Sequence, residues 1–260
     1  MKEYVSIYDY PRYMNIKEGD IIFISSDTRL MLYDAVRNKS SLILDDFIDG
    51  LIDAVGDKGT VIFPTYNWEF CSEKEFDYKK TPCKTGVLGE LALKHNGFQR
   101  TRHPIYSFAV YGYYREKLVS MNNLDSFGTD SPFAFFRDMN VNNYIIDVTL
   151  KHCFTYVHFV EEQSGVVNYR YIKNFKGIYI DENGNRENRT YSMFVRDLDM
   201  DVEATIDPIE EDLLQSGVEK KIKINSSEIK HIKLGEAYPI LLRDVMSNNS
   251  KKLCRFKGQA

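Results

Sequence analysis

Apolar positions fall into two rhythms along the chain, and the change between them divides it. In the first part, uninterrupted apolar runs bounded by turn residues predict buried strands at 20–24, 60–63, 107–111 and 144–148. Pro64, which has no amide to give a ladder, ends the second of these. Between the first two, Phe47, Ile48, Leu51, Ile52 and Val55 recur with helical spacing and predict a helix over 45–55, stopped by Gly56. Strand, helix, strand in that order predicts a βαβ unit. Val87, Leu88, Leu91 and Ala92 place a helix at 85–95, and Ser131 followed by Pro132 starts a short one. Residues 68–84 carry charges and aromatics without either period and predict a long loop over the mouth of the sheet.

After residue 165 the rhythm becomes alternation. Residues 166–180 and 190–195, around an Asn183-Gly184 turn, predict an antiparallel hairpin. Asp197, Asp199 and Asp201 alternate with Leu198 and Met200, which places the carboxylates on one face of a strand. A helix at 208–217, a strand at 222–224 and a helix at 235–245 complete the chain. The expected fold is mixed α/β, with a mostly parallel central sheet flanked by helices and an antiparallel C-terminal portion. One domain over 1–260 is expected, with an α/β core at 15–165 and the remainder completing it.

Composition narrows the function classes. The 260 residues are 43% hydrophobic, enough for one large core, and 34 basic against 38 acidic residues give a formal charge of -4 with no basic run. That balance argues against nucleic acid or a membrane surface as partner. No segment approaches the roughly 20 apolar residues of a membrane span, and residues 1–15 lack a signal-peptide core, so a cytoplasmic protein is expected. Cys71, Cys83, Cys153 and Cys254 show no CxxC spacing, which predicts reduced thiols and no zinc site.

The candidate chemistry sits at strand ends. Ser25 and Ser26 close the first strand, where small residues let backbone amides approach an anion. Thr65, Tyr66 and Asn67 emerge from the second. Arg100 and Arg102 precede a His103-Pro104 pair ahead of Ser107, a grouping able to neutralise a phosphate. Residues 143–163 read as a strand, a polar loop and a helix capped by the Thr155 hydroxyl, which puts His158 in the first turn with Glu161 and Glu162 along the same face. A carboxylate beside an imidazole can orient it as a general base. Each feature also has a plainer reading, as a serine turn, a solvated turn or a surface ion pair. Two rival constellations are a metal site built from His103, His152 and His158 and an aromatic sugar-binding groove.

Together, the blocks around Ser25-Ser26, Gly59 to Thr65, Arg100 to Ser107, Phe127 to Phe133 and Thr155 to Glu161 resemble, in order and spacing, the aminoglycoside 3-N-acetyltransferase family over roughly residues 15–200. The resemblance implies a fold distinct from GNAT acetyltransferases and transfer of an acetyl or other acyl group from coenzyme A to a sugar amine, with no metal. It implies Ser25, Ser26, Thr65, Arg100, His103, Ser107 and Thr155 beside the cofactor. It also implies His158 as base, with Glu161, Asp197 or Asp199 orienting it. Where the family carries a histidine before the serines, this chain has Ile24. Tyr66, Asn67, Trp68 and Tyr106 stand at acceptor positions, and their aromaticity suits a sugar face or a base. The expected acceptor is a nucleotide-linked amino sugar for surface polysaccharide; an aminoglycoside antibiotic is the alternative. Direct transfer, with an acyl-enzyme on Cys153 as rival, and a possible homodimer complete the expectations.

Overall fold

A computed structural model describes residues 4–256. Its strands are β1 (Ile21–Ser26), β2 (Thr60–Pro64), β3 (Phe76–Asp77), β4 (Gln99–Arg100), β5 (Phe108–Gly112), β6 (Asn142–Ile146), β7 (Arg170–Ile180), β8 (Arg186–Arg196), β9 (Val202–Ala204), β10 (Glu219–Ile224), β11 (Ser227–Lys233) and β12 (Cys254–Phe256). Its helices are α1 (Tyr10–Tyr13), α2 (Arg29–Arg37), α3 (Asp45–Val55), α4 (Val87–Ala92), α5 (Arg115–Ser120), α6 (Pro132–Asp138), α7 (Leu150–Cys153), α8 (Tyr156–Ser164), α9 (Glu210–Gln215) and α10 (Leu234–Asn248).

Seven strands form the main sheet in the order β10-β11-β6-β1-β2-β5-β4. β1 runs parallel to both β2 and β6, so the βαβ unit is present. Every other pairing in this sheet is antiparallel, and the expectation of a mostly parallel sheet holds only for its central three strands. The strand β11 accounts for much of the difference. Its Ser-Glu-Ile-Lys-His-Ile-Lys sequence hides two buried isoleucines among charges, and it covers the β6 edge in antiparallel register, His231 opposite Tyr144.

Side-chain alternation sorts the central strands between two apolar layers. Phe23, Ile62, Phe108 and Ile145 face a cluster supplied by α6, α8 and α10. Ile22, Ile24, Val61, Phe63 and Ile146 face a second cluster with α2, α3 and α4. α3 spans the predicted residues and ends at Gly56, at φ 60. α4 is shorter than predicted, and Val87 is exposed.

The predicted hairpin is β7–β8, and β3, from within the long 68–84 segment, adds to it in parallel. That segment is therefore pinned, with Phe76 buried and the Tyr78 hydroxyl donating to the Arg100 carbonyl. Residues 197–201 form a turn and not a strand face: an Asp197 carboxylate oxygen accepts the Asp199 amide at 3.0 Å, a local bond that closes the turn. Ser131 and Thr155 occupy N-cap positions, but neither hydroxyl makes the capping hydrogen bond.

Candidate active site

β6 delivers the chain to its C-terminal edge at Ile146, and the short α7 and Thr155 lead into α8. Tyr156, Val157, Phe159 and Val160 bury one side of α8 in the core, which leaves His158 at the margin with its side chain 19% exposed. Gly165, at φ 67, ends the helix in the left-handed conformation and turns the chain back, so that Tyr169 and Arg170 return to Glu161.

Glu161 is the centre of this arrangement. It is 2% exposed, and its Oε2 lies 2.8 Å from His158 Nδ1. Arg170 Nε approaches the same oxygen at 2.8 Å, and the Tyr169 hydroxyl donates to Oε1 at 2.7 Å. Burial pushes the Glu161 carboxyl up, but His158, Arg170 and Tyr169 outweigh it and hold it below the usual glutamate range. An ionised Glu161 can only accept, so the His158 proton sits on Nδ1 and the Nε2 lone pair is left free. Burial and the Arg170 cation hold His158 below its ordinary value in spite of Glu161, and the ring is neutral at pH 7.

The imidazole rests edge-on against Phe127 at 6.0 Å, Phe127 meets Tyr106 at 5.0 Å, and Tyr106 meets Tyr66 at 4.8 Å. Tyr66 and Tyr106 are buried members of the core, whereas Trp68 is 43% exposed and Tyr171 48%. The expected aromatic lining is thus mostly internal packing, with Trp68 and Tyr171 offering ring surface. Asn67 is buried too, donating to the Pro82 carbonyl at 2.9 Å and accepting the Glu69 amide at 2.8 Å. One residue beyond Glu161, the Glu162 carboxyl is pushed up to about 8 by burial and by Asp125, which in turn accepts the Phe127 amide at 3.3 Å.

A sequence model of the family described as aminoglycoside 3-N-acetyltransferase matches residues 35–243. The chain belongs to that family. A curated relative, the SPbeta prophage-derived aminoglycoside N(3')-acetyltransferase-like protein YokD of Bacillus subtilis (strain 168), is 25% identical over 41% of this chain. The match spans about half, 48%, of that relative's length. The fold matches sisomicin-bound AAC-VIa with a TM-score of 0.76 at 19% identity, covering 95% of this chain and 99% of that one. It matches the B. subtilis YokD protein at 0.75 and 19% identity (93% and 98% covered), and AAC-IIIb with CoASH at 0.74 and 17% identity (95% and 98%).

The remaining family-motif residues fall into two groups. Ser25 and Ser26 end β1 opposite Ile145 and Ile146 of β6, with Ser26 partly exposed. Gly86, at φ +115, lies beside them, and a Cβ there would come within 3.7 Å of the Ser26 carbonyl oxygen. Thr65 and Ser107, by contrast, are fully buried and bonded to each other, Oγ1 to Oγ at 2.8 Å. His103 is buried with Nδ1 accepting the Ile105 and Tyr106 amides at 3.3 and 3.1 Å and Nε2 3.4 Å from Ser126 Oγ. Burial lowers it to about 3, so it is a neutral, fully engaged ring that shapes the loop before β5. Arg100 is buried, with one donor on the Tyr78 carbonyl at 3.3 Å while Nε and Nη2 have no hydrogen-bond partner among the described residues.

Among the carboxylates named as orienting groups, Glu161 makes the bond to His158; Asp197 and Asp199 lie in the 197–201 turn. The three histidines of the rival metal site are separately engaged, His152 with Thr149 Oγ1 at 2.9 Å, and the described residues contain no cluster of three or more His, Cys, Asp or Glu suited to a metal. Cys153 Sγ donates to the Thr149 carbonyl at 3.3 Å, and burial pushes the thiol up to about 12. Tyr169 and Arg170 as partners of Glu161 were not legible as such. Their signal was a Tyr-Arg pair at the head of a strand following a helix-ending glycine.

Proposed function

We propose that this protein transfers an acyl group from acyl-coenzyme A to a primary amine of an amino sugar by direct attack, with His158 Nε2 as the general base. The observation that carries the reading is the neutral His158 held through Nδ1 by an ionised, buried Glu161. Coenzyme A supplies a thioester carbonyl already activated toward an amine. The resemblance sets coenzyme A against the Ser25-Ser26 strand end, where small side chains allow close approach, and those residues would hold it. His158 takes the proton that the acceptor nitrogen must lose, Glu161 stabilises the imidazolium formed, and Arg170 keeps Glu161 ionised at the same time. The raised, hydrogen-bonded Cys153 thiol favours direct transfer over an acyl-enzyme.

The acceptor preference follows from charge. Arg196, exposed and in register with Arg170, joins it in disfavouring a protonated His158. With Arg170 paired to Glu161, the exposed Arg196 guanidinium suits an acceptor that brings its own negative charge, as a nucleotide-linked amino sugar does. Of the 68–84 carboxylates that would suit a polycation, Glu75 and Asp77 are paired, with Arg186 at 2.6 Å and Lys80 at 3.6 Å, while Glu73 is exposed. The second reading, a polycationic aminoglycoside as acceptor, is favoured by Asp125 beside Glu162, which lies one turn along α8 from His158. A thiol-release assay with acetyl-coenzyme A against both panels decides between them. Turnover of nucleotide-linked amino sugars is the expected result, and turnover of kanamycin-type acceptors alone selects the second reading.

A further inference from the structure

One cavity bounded by the described residues does not include His158 in its lining. It has a volume of about 840 Å³ and lies between the chain entering β7, the 205–208 turn and the C-terminal end of α10 with β12. Its apolar walls are Val167, Tyr169, Val245, Met246 and Phe256. Lys251 and Arg255 stand on its rim, and no lining residue is acidic. Arg255 is partly neutralised by Glu203 at 3.2 Å, whereas Lys251 makes no ion pair among the described residues. Thr205 also lines it, with its hydroxyl buried and without a hydrogen-bond partner among the described residues.

Tyr169 belongs both to this cavity and to the base assembly. Its ring packs edge-on against Phe256 at 5.9 Å, and its hydroxyl donates to Glu161 Oε1 at 2.7 Å. His158, Glu161 and Arg170 are absent from the lining, so the cavity meets the assembly from behind, through one tyrosine. A molecule seated against Tyr169 and Phe256 bears on the group that holds Glu161, and anything that shifts the Tyr169 hydroxyl changes how firmly Glu161 holds His158.

We infer that this cavity is a second, regulatory binding site for a small amphipathic anion, an aromatic or aliphatic body carrying one carboxylate, sulfonate or phosphate, coupled to His158 through Tyr169. Apolar walls take the body and Lys251 takes the charge. The volume is within the range of small-molecule sites and leaves room for a ligand of two or three rings. Coupling is reciprocal, so the ligand's affinity depends on the state of the His158 and Glu161 pair as well.

The test uses 1-anilinonaphthalene-8-sulfonate and its uncharged analogue N-phenyl-1-naphthylamine as fluorescent probes of the full-length protein. Lys251 and Met246 are exposed, so substitutions there are expected to spare the fold, which thermal melting checks. Lys251→Met and Lys251→Glu are expected to weaken the sulfonate at least 10-fold while leaving the neutral probe within 3-fold. Met246→Trp, which fills the cavity, is expected to weaken both. Sulfonate binding that is insensitive to all three substitutions overturns the site. For the coupling, the His158 imidazole titration is followed by NMR: saturating sulfonate is expected to move its midpoint in the wild type and not in Tyr169→Phe. An unmoved wild-type midpoint overturns the regulatory role. Neither readout involves turnover, so this inference stands or falls apart from the acyl-transfer reading.

Discussion

His158 and Arg170 share one oxygen of Glu161, each at 2.8 Å. The consequence is a carboxylate that stays ionised although buried, balanced between a fixed cation and a ring that can take up a proton. Arg170 supplies the permanent charge, so Glu161 does not depend on a protonated His158 to remain an acceptor.

Replacing Glu161 by Gln keeps the shape but removes that charge. The amide leaves Arg170 uncompensated in the interior, a change expected to cost about 3 kcal/mol in stability. It also permits the wrong tautomer of His158, so turnover is expected to fall at least about 100-fold. Urea unfolding and steady-state kinetics on the same preparation measure the two effects. Full turnover in a folded Glu161→Gln protein would contradict the base assignment.

His158→Ala is expected to lower turnover by roughly 10²- to 10⁴-fold with acetyl-coenzyme A affinity changed less than about 3-fold, because the base contributes to the chemical step and not to holding the thioester. Cys153→Ala is expected to retain at least about half of the activity, since a thiol raised to about 12 is not a nucleophile at neutral pH. Calorimetry with the cofactor and a thiol-release assay separate the two. A folded but inactive Cys153→Ala protein establishes the acyl-enzyme instead.

The pH dependence follows with a definite sign. With His158 as the proposed base its neutral form is the one that works, and burial and Arg170 depress its pKa, so the acid limb of kcat/KM is expected to have its midpoint below the ordinary value of about 6.5. His103 behaves alike in stability. It stays neutral in the fold down to about 3 but takes up a proton near 6.5 when unfolded, so its contribution is lost as pH falls below 6.5. Glu162 and Glu219, raised to about 8, act the opposite way and are most favourable at low pH. The His103 effect is therefore isolated by difference: the stability gap between wild type and His103→Asn is expected to narrow by about 2 kcal/mol from pH 7.5 to 5. Urea midpoints at the two pH values check this, and a constant gap would refute it.

The sequence showed the elements whose pattern is set locally. The run from Ile21 to Ile24 and the spacing from Phe47 to Val55 carry their own periods, and β1 and α3 lie where those periods place them. β11 was not legible because its alternation is set by a tertiary partner: Ile229 and Ile232 are buried only once β6 needs covering. The His158 and Glu161 contact could be read because three residues on a helix make neighbours by geometry alone. Tyr169 and Arg170 reach Glu161 only after the turn at Gly165, a relationship that no local spacing encodes. The aromatics at Tyr66 and Tyr106 misled for a related reason. Composition cannot tell a tyrosine that lines a pocket from one that fills a core, and the two rings sit 4.8 Å apart inside the latter.

Arg196 gives the most direct test of acceptor charge. It pairs in register with Arg170 but lies outside the buried ion pair, so reversing it leaves Glu161 and its partners in place. Its cation acts on whatever approaches His158, through a partly screened field, and such a charge sets encounter and specificity more than fold. Arg196→Glu is expected to lower kcat/KM for a nucleotide-linked amino sugar about 10-fold, mostly at low salt, and to raise the His158 midpoint toward the ordinary histidine value. A cationic acceptor should respond in the opposite direction, gaining where the anionic one loses. Measuring both acceptors at two ionic strengths therefore reads the sign of the charge the site accepts. If Arg196→Glu leaves the nucleotide-linked acceptor unaffected and improves none, the arginine pair plays no part in choosing the acceptor.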